Sequence, residues 1–178
     1  MAEEKPDNSK ERIYFRGLHN VNYGLMEVMK QMRDLPRVIK AKDLPPRDVT
    51  GPQYFNRWLM EPAMGRMQSI QSHMVDLVPG GRSQRHGHMN EAVFYILDGK
   101  GYDIHDGERY DYEAGDIVVV RNGCVHQHFN SDPKRPLKAL VVKSKPMYLF
   151  MNLLFQTVVE KAPGEAPAGF EGWDAEDF

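Results

Sequence analysis

The stretch GGRSQRHGHMNEAVFYILDG, Gly80 to Gly99, decides how the rest of the chain is read. His86 and His88 stand two apart, and in an extended strand residues i and i+2 project from the same face. The β-prone run Val93 to Leu97 follows, closed by the turn signal Asp98-Gly99. A second stretch, GDIVVVRNGCVHQHFN from Gly115 to Asn130, repeats the arrangement: an apolar strand, the turn Asn122-Gly123, then His126 and His128 again spaced by two. Two imidazoles on one strand face, joined by a third from another strand, can close one face of a metal octahedron and leave positions open.

Working outward, short β-rich runs separated by turn signals recur at intervals of roughly ten residues, the pattern of an antiparallel sandwich or barrel. The spacing predicts strands over Gln68–Val78, Ser83–Met89, Val93–Leu97, Tyr102–His105, Arg109–Tyr112, Ile117–Arg121, Val125–Asn130 and Leu137–Lys143. Asp106-Gly107 reads as a type I′ hairpin turn. Upstream, Leu25, Met29 and Met32 share one face of a helix predicted over Asn20–Leu35, and Ala41–Pro52 is an irregular connector. After Pro146 comes an apolar run that suits a strand or a helix, then an acidic tail. The expected organisation is an N-terminal arm, helix and linker over 1–65, a barrel over 66–145, and an apolar segment and tail over 146–178.

The 178 residues suffice for one domain with a real core, and 41% hydrophobic with 27% charged residues is ordinary for a soluble globular chain. Twenty-three Lys and Arg against 25 Asp and Glu give a net charge of -2, so no global positive field exists to hold nucleic acid or an anionic membrane. Cys124 is the single cysteine, which forbids an intrachain disulfide and suits a reducing cytoplasm. Neither a signal peptide nor a membrane span is expected. The methionine-lined helix and the apolar segment Tyr148–Val159 exceed what one small barrel needs to cover itself, which predicts a homodimer.

The two stretches, written Gly80-x5-His86-x-His88-x10-Gly99 and Gly115-x5-Arg121-x-Gly123-x2-His126-x3-Asn130, resemble the two-motif signature of the cupin superfamily. The resemblance implies an all-β double-stranded β-helix, a jelly-roll barrel, with His86, His88 and His126 around one metal ion. Two departures stand out. In the family three or four residues separate the second histidine from the metal-binding glutamate, which lands here on Ala92 or Val93. Glu91 lies at an odd offset from His88 and is expected outside or at the rim. Arg121 replaces the proline of the second motif. Three neutral imidazoles leave a divalent ion its full charge, which favours an anionic, bidentate substrate.

Among cupins, this three-histidine variant is similar to the gentisate dioxygenase group and to diketone-cleaving dioxygenases; Asp106–Val120 and His126-x-His128-x-Asn130 extend the likeness to the gentisate group. The resemblance implies a mononuclear iron(II) dioxygenase acting on a small molecule with O2, His128 assisting proton transfer. Manganese, nickel, zinc and copper also suit three imidazoles. Where gentisate-type enzymes carry an arginine for the substrate carboxylate this chain has Phe94, and their glutamine aligns with Val75. A phenolic or enolisable substrate without a carboxylate is therefore expected, contacted by His73, Gln84 and Phe94. Cys124 is expected to pack inertly. The rival readings are a non-redox metal-dependent cupin enzyme and a cupin that binds a metal or small ligand without turnover.

Overall fold

The computed structural model describes residues 33–44, 48–49, 51–60, 67 and 69–171. The chain divides into the units Met1–Val38 and Ile39–Phe178. The helix predicted over Asn20–Leu35 falls in the first unit and almost wholly outside the described residues, with Arg33 and Asp34 helical.

The second unit is two antiparallel sheets. Its strands are β1 (Asp48–Val49), β2 (Tyr54–Met60), β3 (Gln71–Leu77), β4 (Arg85–His88), β5 (Ala92–Asp98), β6 (Lys100–His105), β7 (Glu108–Glu113), β8 (Ile117–Val120), β9 (Val125–Asn130), β10 (Leu137–Lys143) and β11 (Gln156–Glu160). One sheet runs β1-β2-β3-β10-β5-β8, the other β11-β4-β9-β6-β7. This is the expected all-β jelly roll. The sheets extend past residues 66–145 at both ends, through β1 and β2 on one side and β11 on the other.

The alternation read from the sequence is the alternation of the barrel wall. Along β5, Ala92, Phe94 and Ile96 are buried, while Val93, Tyr95 and Leu97 face outward and are exposed. Ala92 pairs with Val120 and Phe94 with Val118 on β8, and β10 adds Leu137, Ala139 and Val141 to the same core. Burying one large aliphatic side chain contributes roughly 1.5–3 kcal/mol, so a register slip of one residue, which turns the whole row outward, is strongly disfavoured. Ile117 and Val119 continue the exposed apolar strip of the outer face onto β8, which ends its sheet.

Turn chemistry fixes the ends of the strands. Asp106 (φ 50°) and Gly107 (φ 95°) both adopt left-handed backbone and join β6 to β7 with His105 opposite Glu108, the type I′ hairpin that the sequence predicts. The ambiguous run after Pro146 resolves into both candidates: a short helix α1 (Lys145–Phe150), with Pro146 in its first turn, and then β11. β11 pairs with β4, Gln156 against His88 and Val158 against His86, and so closes the sheet edge beside the first histidine pair.

Gly101 marks a close approach between β6 and the core. A Cβ there would lie 2.7 Å from Leu137 Cδ1 and 2.9 Å from Tyr112 Cε2. Gly101→Ala is therefore expected to cost about 1–3 kcal/mol by overpacking, read as a lower urea midpoint at unchanged m-value. An unchanged midpoint would show that the wall yields there. Among the described residues, no helix is long and apolar enough to cross a membrane.

Candidate metal centre

Sheet register assembles the site row by row. His86 on β4 lies opposite His126 on β9, which in turn lies opposite His105 on β6. In the next row, His128 on β9 faces Asp103 on β6. His88, two residues after His86, adds a third imidazole on the same face. One ligand atom from each of His86, His88 and His126 lies within 4.8 Å of the others.

The backbone presets these rings. Nδ1 of His88 contacts the Asn90 carbonyl at 2.7 Å, that of His126 the Cys124 carbonyl at 3.2 Å, and that of His86 the Gln84 carbonyl at 3.5 Å. A carbonyl only accepts, so each Nδ1 carries the proton and each Nε2 presents its lone pair. Nε2 of His88 is buried with no hydrogen-bond partner, an orphan that a metal ion would satisfy. Burial above all, and then neighbouring basic groups, lowers all three imidazoles: His86 to about 3 and His88 to about 4, with His126 lower still. The triad is therefore neutral at physiological pH and needs no proton displaced before it binds a cation. The donor set fits a divalent transition metal.

Behind the triad lies a carboxylate network. Asp103 is fully buried; Nδ1 of His128 donates to its carboxylate at 2.9 Å, the Tyr112 hydroxyl donates at 2.9 Å and His105 Nε2 at 3.1 Å. Burial alone would raise its pKa, but His128 and the three donated hydrogen bonds outweigh this and hold the carboxyl well below the usual range. Burial, reinforced by Asp103, keeps the Tyr112 phenol protonated far above its ordinary range. Its role is that of a fixed donor. The His128 ring packs on Phe94, centroids 4.3 Å apart, and lies 5.2 Å from the His126 ring.

A cavity of about 190 Å³ opens beside His86 and His88 of the triad. His86, His88, His73 and Gln84 line it, as do Tyr54, Trp58, Lys143 and Lys145. Of the residues expected to touch substrate, His73 and Gln84 therefore reach the cavity wall, while Phe94 is buried against His128 and is not part of the lining. His73 is buried with its ring 4.8 Å from that of Trp58 and is held neutral, lowered to about 2 chiefly by burial. A larger cleft, about 620 Å³, lies along β7 and β8 and contains none of the three ligands. The smaller cavity is the one that matters for chemistry at the triad.

Glu91 is exposed and outside the triad, with its backbone tied to Ser144. Cys124 is buried, and burial followed by the charge of Asp106 pushes its thiol up to about 11, so its contribution is its carbonyl on His126 rather than a thiolate. Among the charged and imidazole side chains around the site, Asp103, His105, Lys143 and Lys145 stand outside the two sequence motifs and were not singled out by sequence. Asp103 and Lys143 occupy inward phases of their strands, two residues beyond the buried Gly101 and Val141, and that parity is the signal by which sequence could have found them.

Compared with known proteins, residues 73–143 match the family model described as Cupin domain. A gentisate 1,2-dioxygenase from Ralstonia sp is 29% identical over 98 residues, covering 54% of this chain and 27% of that protein. An acireductone dioxygenase from Rattus norvegicus is 37% identical over 62 residues, covering 32% of this chain and 34% of its own. The chain thus spans about a third of the length of the curated relatives it matches. Among solved structures, a salicylate 1,2-dioxygenase from Pseudoaminobacter salicylatoxidans superposes with TM-score 0.56 at 17% identity over 64% of this chain and 31% of that one. A cupin-like protein from Thermotoga maritima superposes with TM-score 0.52 at 20% identity over 61% of this chain and 77% of that one. These likenesses show the fold.

Proposed function

We propose, from the premise that residues 73–143 form a cupin domain of the three-histidine type, that this chain is a mononuclear non-haem iron dioxygenase. Its substrate in this reading is a phenolic or enolisable small molecule in which a carbon–carbon bond is cleaved by O2. The observation that carries the reading is the pairing of two devices in one lumen. Three imidazoles offer lone pairs to a metal, and a fourth imidazole that is not part of the triad is anchored on a buried carboxylate.

Iron held by His86, His88 and His126 would supply a Lewis-acidic, redox-active centre with positions left open for substrate and dioxygen. The protein's own groups do the rest. Asp103 accepts from Nδ1 of His128 and so fixes that tautomer, leaving Nε2 on the opposite side of the ring to take or return a proton. Tyr112 and His105 hold the carboxylate in place. Phe94 packs on the His128 ring and Tyr54 stacks with it at 6.5 Å, which shields the imidazole from bulk water.

The test is oxygen uptake by anaerobically iron-reconstituted protein against gentisate, hydroquinones, catechols, aminophenols and β-diketones. Uptake stoichiometric with one substrate is expected. His128→Ala is expected to retain metal while its rate falls about 10²–10⁴-fold, the range for a positioned general acid or base. Substrate consumption without oxygen uptake would replace the dioxygenase by a non-redox enzyme. Metal loss in His128→Ala would make that residue a ligand and overturn its assignment.

A further inference from the structure

Among the described residues, the cavity beside the triad is lined by no carboxylate. Its lining carries two lysines and two of the three ligand histidines, and no aspartate or glutamate among the described residues. Lys143 enters it because β10 alternates: Leu137, Ala139 and Val141 point into the barrel, and Lys143 is the next residue of that row, opposite Gln71 on β3 and Ala92 on β5. Among the described residues the Lys143 side chain has no hydrogen bond or ion pair. Burial, and then the charge of Lys145, lowers its ammonium to about 8. A half-buried cation with no counter-charge among the described residues, beside a site built for another cation, is a cost to the ligand-free fold. A ligand that brings the missing charge would offset that cost.

Resting on the dioxygenase reading, we infer that the substrate carries a carboxylate in addition to the oxygen that meets the metal, and that Lys143 pairs with that carboxylate. The size of the cavity, about 190 Å³, suits a compound of one ring or a short chain. The expectation from Phe94 and Val75 of a carboxylate-free substrate is revised accordingly. Those positions are apolar, and the cation stands instead on β10, two residues past the partner of Phe94.

The experiment compares three matched pairs that differ by one carboxylate: gentisate with hydroquinone, 2,3-dihydroxybenzoate with catechol, and 2,4-dioxopentanoate with pentane-2,4-dione. Binding to the nickel-loaded protein is followed by anaerobic calorimetry. In at least one pair the acid is expected to bind about tenfold or more tightly than its partner. Lys143→Met is expected to reduce that preference below about twofold, leaving metal content and the affinity of the uncharged partner unchanged, and Lys143→Arg to restore most of it. Equal affinities within every pair, or a preference that survives Lys143→Met, overturns the inference while leaving the dioxygenase reading intact. A preference abolished by Lys143→Met in a protein whose iron form takes up no oxygen sinks the dioxygenase reading and upholds Lys143. Absence of binding by all six compounds overturns the inference, and the oxygen-uptake panel decides the dioxygenase reading separately.

A second readout is thermal. The folded-state value near 8 lies below that of an unfolded lysine near 10.4, so between them the unfolded chain binds more protons and stability rises with pH across that window. Lys143→Met is thus expected to raise the melting temperature of the ligand-free protein at pH 7 and to flatten its rise between about pH 8 and 10. A lower melting temperature in Lys143→Met would show the lysine to be structural and overturn the inference.

Discussion

His126→Ala is expected to strip the protein of its metal and, with it, of all oxygen uptake. His126 sits deep in the lumen, 1% exposed, with its ring centroid 4.4 Å from that of His86 and 4.9 Å from that of His88. Without it, two imidazoles on one strand remain and the facial arrangement is gone. Glu91, the nearest acid to His88 in sequence, is exposed and in the wrong phase to substitute. Loss of supporting partners around a metal site alone costs about 10–100-fold in affinity, and loss of a ligand is expected to exceed that. Elemental analysis after reconstitution and desalting measures it. The fold is expected to survive, because deleting one buried imidazole leaves a void worth about 1–3 kcal/mol while β4 and β9 keep their backbone pairing. Full metal occupancy with native affinity in His126→Ala would remove the triad from the mechanism.

Asp103→Asn carries the largest expected loss of stability. The carboxylate accepts from Tyr112, His105 and His128 at once, and an amide offers one acceptor oxygen and turns its two N–H groups toward groups that also donate. Breaking a fully buried network of this kind costs about 3–5 kcal/mol, read by urea unfolding at pH 7. The sign with pH is defined. The folded-state carboxyl is depressed below the unfolded value, so its contribution is complete above about pH 4 and disappears as pH falls toward the folded value. The difference between wild type and variant should therefore shrink below about pH 4. Metal content should be unchanged, since the side chains that donate to Asp103 are Tyr112, His105 and His128, and none of them belongs to the triad. The rate should fall about 10²-fold as His128 loses its tautomer. Equal stability of the two proteins at pH 7 would mean that the network relaxes without cost.

How much of this was legible in the chain follows from how local each signal is. His86-x-His88 and His126-x-His128 announce a shared face because strand parity needs only two residues. Asp106-Gly107 announces its turn because its dihedral demand is local. Register is not local. That Asp103 meets His128, and His105 meets His126, depends on where β6 pairs with β9, which no short pattern in either strand states. Lys143 was readable from the row Leu137, Ala139, Val141, but a lysine at a strand end is ordinarily a solvated one. β2 has no such signature because Phe55 alone among its residues is buried, leaving no alternation to detect. The preset of the triad by the carbonyls of Gln84, Asn90 and Cys124 arises from backbone direction and has no side-chain signature.

The exposed strip on the outer face of β5 and β8 bears on how the protein fails rather than on how it works. Ile117-Val-Val-Val120 is a β-branched run at the end of a sheet, with Ile117 and Val119 turned to solvent and one edge unpaired among the described residues. Such an edge templates addition of a further strand. Asp116 and Arg121 flank it as charged gatekeepers, and its four residues are few for a stable foreign ladder. Where chains that have opened at this edge associate faster than they close, loss of the native state depends on a rate and on protein concentration as well as on an equilibrium.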